Sequence, residues 1–260
     1  MKLIDVNCDI GEGFEHDADL LTMVSSANIA CGYHAGDHNT MAATVAAAAV
    51  NAAAIGAHPG LPDRENFGRR EMAIEPEDVH NLVLAQIGAL WAIARAQGRA
   101  LSHVKPHGAL YHMAERDTAV AAAIVQAVVD FDPRIAVMGL SGGQLARCAE
   151  DRGARAIHEV FADRAYAPGG MLVARSDPRA LIRDGAKAAD RIASLIAGDG
   201  IAAVDGSRLD LRADTVCIHS DRPGAARFAL EFTRRLAWHG MAVARGMGMV
   251  DGAPDASRHG

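Results

Sequence analysis

At 260 residues, half of them apolar and 22% charged, the chain suits one barrel-sized globular domain better than two small ones. A net charge of −6 and 4% aromatic residues argue against nucleic-acid partners, because no basic stripe neutralises phosphates and few rings could stack on bases. No apolar run reads as a bilayer span: the longest, Thr44 to Ala57, is alanine-dominated and broken by Asn51. Met1-Lys2-Leu3-Ile4-Asp5 lacks the apolar core of a signal peptide, so a cytoplasmic protein that engages no membrane is expected.

Short apolar runs alternate with longer amphipathic stretches, the pattern of βαβ units around a parallel sheet. Strands are predicted over Leu3–Cys8, Ser26–Cys31, Ala53–Ala57, Ser102–Lys105, Ile135–Gly139, Ala156–Val160 and Thr215–Ile218, with a closing strand near Met241–Ala244. The clearest helix runs from Pro76 to Gln97, with Val79, Leu82, Val83, Ile87, Leu90 and Ala94 on one face. Asp177-Pro178 reads as the start of another helix, and Pro223 and Gly240 bracket a third. Gly200–Ala213 breaks the rhythm as a strand excursion or a loop. The expected layout is a single β/α-barrel domain over 1–245 and a flexible C-terminal tail over 246–260. Cys8, Cys31, Cys148 and Cys217 are scattered, with no paired spacing, and read as small buried hydrophobes rather than disulfide or zinc ligands.

Polar residues concentrate where the predicted strands end. These are Asn7-Cys8-Asp9-Ile10-Gly11-Glu12, His34-Ala35-Gly36-Asp37, His58-Pro59, Lys105-Pro106-His107, Glu159 with Asp163-Arg164, and His219-Ser220-Asp221. In a closed parallel barrel these ends converge on one mouth, where barrel enzymes place their chemistry. Asp37 also suits the N-cap of the alanine-rich helix that follows it. His34 and His38 have a metal-ligand spacing, but His34 falls in a loop, so the spacing is weak evidence. His16, His80, His112, His158, His239 and His259 lack strand-end placement and read as surface or supporting residues. The polar loop Pro62–Arg70 suits a lid or a partner contact. The turn Leu140-Ser141-Gly142-Gly143 before a helix could cradle an anion, although it matches no nucleotide-binding motif.

Seven stretches carry a family resemblance: Asp5-Val6-Asn7-Cys8-Asp9-Ile10-Gly11-Glu12-Gly13, Ser25 to Asp37, Ile55 to Gly60, Pro62 to Arg69, His103-Val104-Lys105-Pro106-His107-Gly108, Glu159 to Arg164, and Thr215 to His219. In these the chain resembles the LamB/YcsF family, in order, as far as about Ala244; His38 lies outside the family pattern. The resemblance implies an α/β fold, an irregular (β/α)7-8 barrel of the glycoside hydrolase/polysaccharide deacetylase type, which leaves the closing strand near Met241 open. It also implies ring opening of 5-oxo-L-proline, a small cyclic amide, to L-glutamate. The resemblance further implies that this reaction is coupled to ATP hydrolysis, with Mg²⁺, and that the chain acts as an A subunit beside partner subunits B and C.

On that basis Asp9 or Glu12, with His58 or His34, would position a water. Lys105 and His107 would stabilise an oxyanion or phosphate, Asp37 joins the catalytic ring, and Glu159, Arg164 and His219 would bind substrate. Two rivals stand beside this reading. One is a metal-dependent deacetylase or amidohydrolase in which Asp9, His34 and His58 hold a divalent ion. The other is a non-catalytic substrate-binding subunit.

Overall fold

The computed structural model describes residues 1–246. Its elements are β1 (Lys2–Ile10), α1 (Asp17–Leu21), β2 (Ser26–Ala30), α2 (His38–Val50), β3 (Ala54–His58), α3 (Pro76–Ala96), β4 (His103–Val104), α4 (Gly108–Ala114), α5 (Thr118–Phe131), β5 (Ala136–Leu140), α6 (Gln144–Asp151), β6 (Ala156–Phe161), α7 (Gly185–Ala197), β7 (Ile201–Ala202), β8 (Arg208–Leu209), β9 (Thr215–Ile218), α8 (Ala225–Trp238) and β10 (Met241–Val243). Strands β1 to β6 pair in sequence, all parallel, and β9 closes the ring between β6 and β1. The barrel therefore has seven strands. β10 pairs only with the start of β1, Lys2 opposite Met241, and lies outside the ring.

Strand periodicity sends alternate residues to opposite faces. On β1, Val6, Cys8 and Ile10 join the hydrophobic core. Asp5, Asn7 and Asp9 take the other face, where Asn7 Nδ2 donates to Thr215 Oγ1 at 2.9 Å and Thr215 donates to Asp5 Oδ2 at 2.5 Å. Ser25 and Ser26 each donate to Asp5 Oδ1 at 2.7 Å. Beside β1 the barrel interior is thus a hydrogen-bonded polar column rather than the stack of branched aliphatics usual in such barrels. Ala136, Met138 and Ile157 form a separate small apolar cluster on β5 and β6.

Two expectations change. Asp177 opens no helix: it caps a turn, its Oδ1 accepting from Arg179 N at 2.8 Å, within a loop that folds back along the end of β6 through bridges Arg164–Leu181 and Tyr166–Leu172. The helix begins later, with Asp184 as N-cap, accepting from Lys187 N at 2.9 Å. α3, at 21 residues, is long and apolar enough to cross a membrane by length and composition, contrary to the expectation that no run would be. However, Val79, Val83, Ile87, Leu90 and Ala94 bury its inner face in the core, the position of an outer barrel helix. The excursion after α7 is an antiparallel hairpin of β7 and β8. Of the expected tail over 246–260, residues 247–260 lie outside the described residues, and Gly246 N donates to Ala52 O at 3.0 Å. All four cysteines are buried and unpaired.

Candidate active site

A cavity of about 540 Å³ opens where the strands end at the C-terminal mouth. Its floor is Asp9 at the end of β1, Glu12 just beyond, His58 closing β3, and Lys105 and His107 after β4. Its wall carries Arg69, Arg164, Arg175, His219 and Asp221. A volume of this size is ordinary for a small-molecule site.

Lys105 is the centre of the floor. Its ammonium donates to Asp9 Oδ1 at 3.0 Å and Asn7 Oδ1 at 3.2 Å, and pairs with Glu159 Oε1 at 2.7 Å. Burial opposes a buried cation, but the carboxylates of Asp9 and Glu159 outweigh it and hold the ammonium well above its ordinary pKa. Burial would likewise raise the Asp9 carboxyl; the His58 and Lys105 charges win and hold it well below the carboxylate range. Lys105 is thus a fixed cation. Cys217 Sγ lies 3.2 Å from Lys105, yet burial pushes its thiol far up, so it is no nucleophile.

Around Glu12 stand three imidazoles. Glu12 Oε1 is 3.1 Å from His34 Nε2, 3.2 Å from His107 Nδ1 and 3.7 Å from His58 Nε2. Burial raises the Glu12 carboxyl, but hydrogen bonds from His107 and His34 bring it down to about 2. His34 and His107 stack, ring centroids 3.8 Å apart. Burial lowers His34 to about 4, despite its bond to Glu12.

Hydrogen-bond partners fix two tautomers. His58 Nδ1 faces the Lys105 carbonyl at 2.7 Å and His107 Nε2 faces the Phe67 carbonyl at 2.8 Å, so both of these nitrogens carry hydrogen. The remaining nitrogens, His58 Nε2 and His107 Nδ1, are 3.0 Å apart. Two neutral rings would oppose lone pairs there, so one cation, a proton or a metal ion, belongs between them. Asp9, 3.4 Å away, and Glu12 outweigh burial and raise the His58 pKa, which favours the proton.

Three loops tie the rim together. Arg69 and Arg175 both pair with Asp221 Oδ2, the latter at 3.1 Å. Arg164 donates through Nη2 to Val173 O at 2.6 Å, while its buried Nε has no partner. His219 is held by Asp163 at 2.9 Å and stacks on Phe161. The loop Pro62–Arg70 covers one flank: Arg64 donates to Gly32 O at 2.6 Å, and Phe67, with φ at +56°, faces the His34 and His107 rings. A bulky residue there is a backbone outlier, overdetermined by these contacts. Gly68 follows at φ +63°, where a Cβ would meet His34 Cβ at 2.7 Å.

The predicted ring is therefore split. Asp9, Glu12, His58, Lys105 and His107 form the floor, and Arg164 and His219 line the wall. His34 sits behind Glu12, and Glu159 sits fully buried behind Lys105, where it also accepts from Tyr111 at 3.1 Å. Neither is among the cavity-lining residues, so Glu159 is a support for Lys105 rather than a substrate contact. Asp37 is exposed and caps α2, accepting from Thr40 N at 2.8 Å; it does not join the floor. The compact set with metal-ligand spacing is Glu12, His34, His58 and His107, all ligand atoms within 4.8 Å, whereas Asp9 groups with Cys217 and His219. The first group shares His34 and His58 with the expected Asp9, His34, His58 set, and Asp9 Oδ2 lies 3.4 Å from His58 Nε2. The glycine turn before α6 is already occupied: Glu115 accepts from Gln144 N at 2.6 Å and Leu140 N at 3.3 Å. Sequence reasoning misses Asn28, His103, Tyr111 and Arg175; the alternation Asp5, Asn7, Asp9 is the available signal for the polar column.

A closed parallel barrel whose mouth gathers a buried lysine, two carboxylates and linked imidazoles around a cavity defines a barrel enzyme. The chain belongs to the LamB/YcsF family, whose profile matches residues 4–250. The 5-oxoprolinase A subunit of Oceanobacillus iheyensis is 48% identical over 90% of this chain and 91% of its own. Its counterpart from Pyrococcus furiosus is 43% identical over 92% of this chain and 96% of its own. The crystal structure of a lactam utilization protein from Thermus thermophilus superposes with a TM-score of 0.88 at 42% identity, covering 94% of this chain and all of that one. A cellobiose-phosphate cleavage protein of Enterococcus faecalis, so described on a provisional basis, shares the fold alone, with a TM-score of 0.55 at 12% identity over 94% of this chain and 97% of that one.

Proposed function

We propose that this chain is the A subunit of an ATP-dependent 5-oxoprolinase, opening 5-oxo-L-proline to L-glutamate together with subunits B and C. One observation carries it: the cavity floored by Asp9, Glu12, His58, Lys105 and His107 lies in a chain 48% identical to a 5-oxoprolinase A subunit. ATP, with its Mg²⁺, is assigned in this reading to the assembled complex. The buried, unpaired cysteines suit a reducing compartment, and the complex is placed in the cytoplasm.

A lactam is a weak electrophile, so its oxygen needs activation: ATP phosphorylates it and ADP leaves. Water then adds to the carbon, and the ring C–N bond breaks with the nitrogen leaving as the amine after taking a proton. A second water cleaves the resulting acyl phosphate to L-glutamate and phosphate. Asp9 or Glu12 with His58 holds the attacking water, and His58 is the group able to give up a proton. Lys105, a cation that burial and pairing keep charged, faces the developing oxyanion or phosphoryl group with His107. Arg164, with a free buried Nε, takes the substrate carboxylate, and His219, fixed by Asp163, closes that side.

The imidazole arrangement favours a second reading of the floor. Glu12, His58 and His107 fit a divalent cation, because each histidine gives its other N–H to a backbone carbonyl, as metal-ligating histidines do. Such an ion would supply a polarised water. The deciding measurement is 5-oxoproline-dependent phosphate and glutamate release by the chain alone and then with subunits B and C. Turnover only in the complete mixture is expected. Glutamate release by the chain alone, without ATP and abolished by a chelator, would make it a metal-dependent amidohydrolase. Full activity of His58→Asn in the complex would leave it a substrate-binding subunit.

A further inference from the structure

We infer that His103 is a positioning residue, which, through Asn28, divides the two oxygens of Asp9 between the barrel interior and the cavity. His103 lies wholly buried beneath the floor and does not line the cavity. Its role follows from the hydrogen-bond directions around Asn28.

Lys105 can only donate, so the Asn7 atom it meets at 3.2 Å is Oδ1. The Asp9 carboxylate can only accept. Asn28 approaches both, at 2.8 Å from Asn7 Oδ1 and 2.8 Å from Asp9 Oδ1, so the group it presents is its amide nitrogen, and both hydrogens are used. Asn28 Oδ1 is thereby turned toward His103 Nε2, 2.7 Å away, which must carry hydrogen. The other ring nitrogen, Nδ1, lies 2.8 Å from Ser102 Oγ, closer than the Ile55 carbonyl at 3.1 Å that the same hydroxyl could reach. Burial, with the Lys105 and His58 charges, lowers His103 to about 3, so the ring is neutral and Nδ1 accepts from Ser102.

The result is a one-way chain, Ser102 to His103 to Asn28 to Asp9. It ties Asp9 Oδ1 to Asn28 and Lys105 and leaves Oδ2 for His58 and the cavity. Removing the His103 donor leaves a buried amide oxygen unpaired, and Asn28 is then free to flip and turn that oxygen on the Asp9 carboxylate. β3 is built to admit the ring: Gly56 sits opposite His103 in the β3–β4 register, and a Cβ on it would lie 2.0 Å from Nε2.

The rate readout rests on the proposed 5-oxoprolinase activity; the spectroscopic one does not. In ¹⁵N-labelled full-length protein, the ring shifts of His103 should report a neutral Nε2–H tautomer, and an Nδ1–H tautomer would overturn the inference. In the reconstituted complex, His103→Leu should lower kcat by about 10- to 100-fold with little change in KM, the scale of lost outer-shell partners. His103→Gln, which keeps a donor near the Nε2 position, should recover most of it, and thermal melts of both show whether the fold is kept. On an Asn28→Ala background His103→Leu should cost almost nothing more. Full additivity of the two losses, or wild-type kcat in His103→Leu, would refute the role. Absence of turnover in the wild-type complex would sink the proposed function and leave the tautomer to judge His103.

Discussion

Glu159 Oε1 lies 2.7 Å from Lys105 Nζ on the side of the lysine away from the cavity. One buried cation therefore pairs with two buried carboxylates, Asp9 in front and Glu159 behind. Removing a partner from such a pair leaves an uncompensated buried charge, which typically costs about 3–5 kcal/mol. Lys105→Met is expected to lose that much stability in denaturant melts. Glu159→Gln, whose amide oxygen can still accept from Lys105 or Tyr111, should lose clearly less. Equal melts for Lys105→Met and the wild type would show that the lysine is not structural. Any activity loss in Lys105 variants is therefore to be normalised to the folded fraction.

The shared cation between His58 and His107 predicts non-additivity. His58→Asn and His107→Asn should each lower turnover by about 10²–10⁴, the range for a general acid–base group. The double variant should be little worse than the poorer single one, because both substitutions empty the same position. Multiplying losses in steady-state kinetics would mean that the rings act separately.

Stability should fall toward acid pH. His103 is lowered to about 3 and His112 to about 4, burial being the first cause in each. Between those values and the ordinary histidine pKa near 6.5, the unfolded chain binds protons that the native ring refuses, so stability is present above 6.5 and lost as pH falls. For fully buried His103 the slope approaches about 1.4 kcal/mol per pH unit. Glu115 runs the other way: burial raises it to about 7, so its contribution is lost as pH rises from the ordinary value of 4.5. Urea melts from about pH 4 to about pH 8 check both, and a His103→Gln acid limb as steep as wild type would contradict the first.

Gly143 is constrained by packing rather than by backbone angle. A Cβ there would lie 2.1 Å from Glu115 Oε2, the carboxylate that caps the start of α6. Gly143→Ala should destabilise the protein by about 1–3 kcal/mol, the usual cost of overpacking. A melting temperature unchanged from wild type would mean that the Glu115 cap can move aside at no cost.

Much of the barrel is legible in the sequence, because apolar runs flanked by helical periodicity leave few alternatives to parallel βαβ units. The floor residues Asp9, Glu12, His58, Lys105 and His107 are legible for the same reason: strand ends converge in any such barrel. What a linear pattern does not carry is depth. Asp37 and Glu12 look alike in sequence, yet one caps a helix in solvent and the other is buried among imidazoles. Glu159 falls at the right strand end, but whether a carboxylate faces the cavity or the back of a lysine depends on register with β9. Asn28 and His103 escape notice because a polar residue inside a strand reads as solvent-facing unless the barrel interior itself is polar.

The ring is closed by segments that are far apart in the chain: Asp5 of β1 stands beside Thr215 of β9, and their side chains meet at 2.5 Å. A ribosome must therefore release the chain past residue 218 before the last staves can join. Until then β1 and β6 present raw edges that could recruit other chains. Such long-range closure slows folding through loop entropy. A translation product ending before residue 215 would thus carry the residues of the floor without ever assembling it, an open sheet prone to aggregation rather than a weaker enzyme.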